Sequence, residues 1–67
     1  MRGFRKLAGR EVVLVADEVK ARGIVEAVGG GVVLLVDAVA LEPAGEVKVD
    51  GQLLVPLRRI AYVQVLS

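Results

Sequence analysis

This sequence predicts an all-β chain of five short strands behind a short N-terminal helix, and three observations predict it. Valine saturates the chain from Val12 onward, and β-branched side chains, stiff at χ1, favour extended backbone. The apolar segments are short and separated by turn residues. At the C-terminal end Ala61, Val63 and Val65 alternate with Ile60, Tyr62, Gln64 and Leu66, the period-two pattern of a strand.

In chain order, "RGFRKLAG" sets Phe4 and Leu7 three apart, and Gly9 suits the end of a helix, so one or two helical turns are expected there. "EVVLVA" (11–16) and "VKARGIVEAV" (19–28) read as the first two strands, joined through Asp17 and Glu18. The glycine triplet at 29–31 admits two readings, a phosphate-cradling loop or a sharp bend between strands. A phosphate loop needs a lysine, a hydroxyl and a helix after it. The next residues are "VVLLVD", strand-like and without either group, so the bend is expected, glycine tolerating the positive φ of a tight turn. The third strand, "GVVLLVDAVAL" (31–41), is apolar on both faces, with Asp37 and Glu42 read as strand-end charges. A turn at Glu42-Pro43-Ala44-Gly45 comes after it, and Asp50-Gly51 within "VKVDGQLL" is the strongest local hairpin signal. "LLVPL" (53–57) and "RIAYVQVL" (59–66) complete the five.

The 67 residues make one domain, 1–67. A chain of this size buries only roughly 60% of its unfolded surface. It holds no Cys and no His, which removes disulfides and thiolate or imidazole metal sites, and no cofactor or metal is expected. Yet 55% of the residues are hydrophobic and the mean hydropathy is +0.64, more apolar surface than one small core can hide. A subunit interface is the expected destination, and hence a homo-oligomer. The longest uncharged run, Ala27 to Val36, falls short of the roughly 20 residues of a spanning helix. The basic N-terminus lacks the apolar stretch of a signal peptide, so no membrane association and a cytoplasmic location are expected.

Charge is unevenly spread around a net +1. Arg2, Arg5, Lys6 and Arg10 stand without an acid in the first ten residues, and Arg58 and Arg59 lie near the end. All 8 acids fall between. Two readings stand: a basic patch that attracts phosphate, or an ordinary solvated face. Catalysis is not expected, because the usual general bases and thiol nucleophiles are missing and the only hydroxyl besides Tyr62 is Ser67.

Gly9, Val12 and Leu14, then Gly23 with Val25, then Ile60 after "VPLRR" resemble the two sequence motifs of the Sm-like family, which has a short helix before five strands. The resemblance spans nearly the whole chain and implies a small, strongly bent five-stranded antiparallel barrel of the SH3-like kind. It further implies rings of five to eight copies, joined strand four to strand five. The family's base-reading positions are changed. Its Asp falls on Gly29, its Asn on Val33, its stacking side chain near Gly31, and its Arg and Gly on Pro56 and Leu57. Glycine cannot stack, valine cannot hydrogen-bond and proline carries no charge, so the uracil pocket of the family is expected to be lost.

Two functions from different classes are compatible with these residues. One is a ring that binds RNA without base specificity, with Arg2, Arg5, Lys6, Arg58 and Arg59 on phosphates. The other is a structural or protein-binding ring that binds no RNA. A different SH3-like adaptor barrel explains the strand count but not Gly9, Gly23 and Ile60. In either ring the interface candidates are Leu54, Val55, Tyr62, Val63 and Val65.

Overall fold

The structure is a computed structural model that describes residues 2–67, with backbone alone for Arg2 and Gly3. A six-residue 3₁₀ helix, Arg2–Leu7, opens the chain. Its three-residue period sets Phe4 and Leu7 on one side, and both pack on the core. Gly9 comes next at φ +84°, the left-handed conformation that lets the chain leave the helix, and its N–H donates to Val25 O at 2.7 Å.

Beyond it lie six antiparallel strands: β1 (Glu11–Ala16), β2 (Lys20–Gly29), β3 (Val32–Glu42), β4 (Gly45–Lys48), β5 (Leu53–Pro56) and β6 (Ile60–Val65). A second 3₁₀ turn, Leu57–Arg59, joins β5 to β6. The sheet runs β4-β3-β2-β1-β6, with β5 also paired to β3. The all-β antiparallel expectation holds, with particular differences. Asp50-Gly51 does not close a hairpin. Residues 45–48 are already a strand, and β4 and β5 lie in succession along the same side of β3, opposite its C-terminal and N-terminal halves. The hairpin turn lies earlier, at Pro43-Ala44, between the paired residues Glu42 and Gly45. Leu57 and Arg59, expected at strand ends, belong instead to the 3₁₀ turn.

Long β3 serves both halves by bending. Its buried residues are Val33 and Leu35, then Ala38, so the inward parity flips between 35 and 38. The flip sits at Asp37, with φ 51°, the one non-glycine residue at positive φ among those described. Asp37 is therefore the pivot inside a strand and not a strand end. Across from it, the β2–β3 register passes from Arg22↔Val39 to Ile24↔Val36, leaving Gly23 opposite the extra residue. A Cβ on Gly23 would stand 3.2 Å from both Ala38 Cα and Val36 O, so only glycine admits this approach without displacement.

The core is wholly apolar: Val12, Leu14, Ala16, Ala21, Val25, Val33, Leu35, Ala38 and Val55. It is small, and it leaves Val19, Ile24, Val47, Leu54, Tyr62, Val65 and Leu66 exposed. The apolar surplus thus stands on the surface.

Candidate functional site

The glycine triplet turns as a two-residue hairpin. Gly29 pairs with Val32, and Gly30 and Gly31 at the tip take φ of 59° and 76°, the double positive φ of a type I′ turn. The tip does not stand free. Gly31 O accepts the Leu57 N–H at 2.8 Å, which fixes the hairpin against the 57–59 turn. An open recess of about 430 Å³ lies between them, lined by Gly30, Gly31, Pro56, Leu57 and Arg58. Gly31, Pro56 and Leu57, which the resemblance reads as changed positions, are thus brought together from distant parts of the chain, while Gly29 sits at the foot of the same hairpin.

Val33, the fifth position of that reading, faces the other way. It is 1% exposed and part of the core, so its side chain reaches no ligand. Leu57 is half-buried against the core, and Pro56 is exposed. Arg58 alone supplies a charged side chain to the recess.

Arg58 and Arg59 part company here. Successive residues of a 3₁₀ turn point about 120° apart. Arg59 lies 3.5 Å from Asp17 Oδ2 and lines a different recess, of about 450 Å³, with Ala16, Val19, Leu53 and Leu54 among its walls. No carboxylate among the described residues stands within ion-pair distance of Arg58. Arg5 and Lys6 are exposed on the N-terminal 3₁₀ helix, and the Arg2 side chain lies outside the described residues. Sequence reasoning missed Gly30, whose role is written in the Gly-Gly hairpin signal, and the Asp17–Arg59 pair, which joins two turns that no local pattern connects.

The interface candidates sort by direction. Leu54 (63% exposed), Tyr62 (59%) and Val65 (42%) project to solvent; Val63 is half-buried against the core. Val55 turns its side chain inward at 5% exposure and offers only its backbone. β5 pairs with β3 alone and β6 with β1 alone, so each carries an unpaired edge. These two edges come from consecutive strands on either side of the 57–59 turn.

The remaining polar contacts are surface ones. Arg22 forks onto both carboxylate oxygens of Glu46, at 3.1 and 3.2 Å, and this hydrogen bonding, with the carboxylate's charge, raises the guanidinium's pKa further. The pair ties β2 to β4 across β3. Arg10 Nε donates to the carbonyl of Ser67, and the Leu66 N–H donates to Glu11 O at 2.8 Å, holding the C-terminus to β1. Among the described residues no cluster of three or more His, Cys, Asp or Glu side chains can hold a metal, and no helix is long and apolar enough to cross a membrane.

This architecture is shared with solved structures. A heptameric archaeal Sm protein superposes over 100% of both chains at a TM-score of 0.83 and 17% identity. The SmAP1 heptamer of P. aerophilum gives 0.83 and 18%, over 98% of this chain and 90% of that one. The Sm-like protein AF-Sm2 of Archaeoglobus fulgidus gives 0.78 and 15%, over 97% and 91%. No protein-family model and no curated protein matches the sequence. At these identities the likeness establishes an Sm-like fold.

Proposed function

We propose that this protein is an Sm-like subunit that closes into a homo-oligomeric ring of five to eight copies. The ring associates with RNA through basic surface residues and performs no catalysis. The observation that carries the reading is the pair of unpaired apolar edges, β5 with Leu54 and β6 with Tyr62 and Val65. An exposed apolar strand edge is an aggregation hazard unless another strand covers it. Head-to-tail pairing of β5 on one copy with β6 on the next covers both edges at once, and a constant rotation closes a ring. Two of the similar structures are themselves heptamers.

RNA association draws support from Arg5, Lys6, Arg58 and Arg59, all exposed, with Arg2 in the same basic N-terminal stretch. Its character is set by the groups that are missing. Glycine at 31, a buried valine at 33 and proline at 56 offer neither a stacking surface nor a hydrogen bond to a base edge in the manner of a uracil pocket. The same absence favours the second reading, a ring that serves as a scaffold for protein.

The two readings separate on the protein purified without nuclease. RNA association predicts an excess of absorbance at the nucleic-acid wavelength that elutes with the oligomer and disappears after ribonuclease. An oligomer free of nucleic acid, which also fails to shift added RNA at low salt, assigns the scaffold reading.

A further inference from the structure

We propose that the recess between the Gly30-Gly31 tip and the 57–59 turn is a phosphate site, which holds the sugar-phosphate backbone of a single strand and reads no base. The inference rests on the RNA reading above and names the group and the chemistry that carry it.

Three observations converge. The first is a free cation: Arg58 lines the recess, is exposed, and has no carboxylate in ion-pair range among the described residues, whereas its neighbour Arg59 is held by Asp17. The second is a pair of free donors. Among the described residues neither the Gly30 nor the Gly31 N–H is given to a protein acceptor; Gly31 is used only through its carbonyl, by Leu57. Peptide N–H groups in a tight turn form a concavity that suits an oxyanion. The third is access. A Cβ at Gly29, Gly30 or Gly31 would meet nothing within 4 Å, so the wall is open. At Gly29, where φ is not positive, the fold sets no demand for glycine at all. The bare backbone there leaves room for a chain to come close.

Oxyanion chemistry fits this inventory better than base chemistry does. A guanidinium and peptide N–H groups are donors only, matched to phosphate oxygens. A base edge also presents donors, and the recess holds no acceptor side chain to meet them; Pro56 and Leu57 are apolar. The group that every nucleotide offers to this inventory is its phosphate. In a ring every copy repeats the recess, so weak contacts add through the shared strand.

The test uses fluorescence anisotropy on the intact oligomer with three labelled strands of about 10 nucleotides: oligo(U), oligo(A) and an abasic strand that keeps the phosphates. The expected result is binding of all three within about threefold, weakened at least about tenfold for each by Arg58→Ala, the loss of one charge-assisted contact per copy. Arg58→Lys restores part of it, as a point charge without the fork. Lys48→Ala, which removes a charge on β4 opposite Val39, at the other end of β3 from the recess, changes binding by less than about twofold and controls for net charge. A strong preference for oligo(U) with no binding of the abasic strand overturns the phosphate site and leaves the RNA reading standing. Base-blind binding that ignores Arg58→Ala overturns it too, moving the contact to the other basic residues. Displacement of the strands by inorganic phosphate at matched ionic strength assigns the recess to the free anion. Failure of oligo(U) and oligo(A) to bind at about 50 mM salt overturns the RNA reading itself.

Discussion

Gly23 and Asp37 form the hinge of this molecule, and each needs its own residue type for a different reason. Gly23 is steric: a Cβ there would stand 3.2 Å from Ala38 Cα and Val36 O, and its absence lets β2 approach β3. Gly23→Ala is expected to destabilise the fold by about 1–3 kcal/mol, read in a denaturant melt, because backbone has to yield. A midpoint equal to wild type would show that the approach is slack. Asp37 is conformational: at φ 51° an unbranched polar side chain is tolerated where a β-branched one is not. Asp37→Val is expected to cost about 1–2 kcal/mol while Asp37→Gly stays within about 1 kcal/mol of wild type, and equal effects of the two would contradict the strain argument. Gly23 was legible in the sequence through its motif position. Asp37 was not, because an Asp flanked by valine and alanine carries no mark of a bulge until the partner strand's register is known.

Among elements, β3 with its partners decides the shape, and here local signals were uneven guides. The Gly30-Gly31 hairpin was readable because a Gly-Gly pair takes two successive positive φ values without strain, and strands flank it on both sides. Asp50-Gly51 carries the same local signal, and Gly51 does take φ 80°. Yet the chain resumes along β3 instead of turning back, because β4 and β5 both have β3 to pair with. Tertiary pairing overrode turn chemistry. The exposed edges are the element-scale consequence. Leu54→Glu and Tyr62→Glu each place a charge on an apolar strand edge, and each is expected to shift the protein to species smaller than the wild-type oligomer in light scattering. Retention of the full oligomer in both variants would mean that the contact between copies lies elsewhere.

The whole molecule combines an undersized apolar core, a sheet with open edges at β5 and β6, and a recess whose one charged side chain is Arg58. The surplus of hydrophobic residues was visible in composition alone; which strands carry it was not, since Val55 and Val65 look alike in sequence and face core and solvent in the fold. The site was half legible: motif spacing located Gly31, Pro56 and Leu57, but only the fold separates Arg58 from Arg59 and turns Val33 inward. Because binding by phosphate contacts releases counterions, affinity for RNA is expected to fall by orders of magnitude between about 50 and 200 mM salt, alike for different sequences. A salt-insensitive affinity measured by anisotropy would place the binding energy in bases instead.

A native mass spectrum of the protein purified without nuclease puts closure of a ring through the edges at β5 and β6 to the test. A single closed oligomer of five to eight subunits is expected, carrying additional mass that ribonuclease removes. A monomer across the usable concentration range would overturn the ring, since the exposed edges at β5 and β6 would then need no partner.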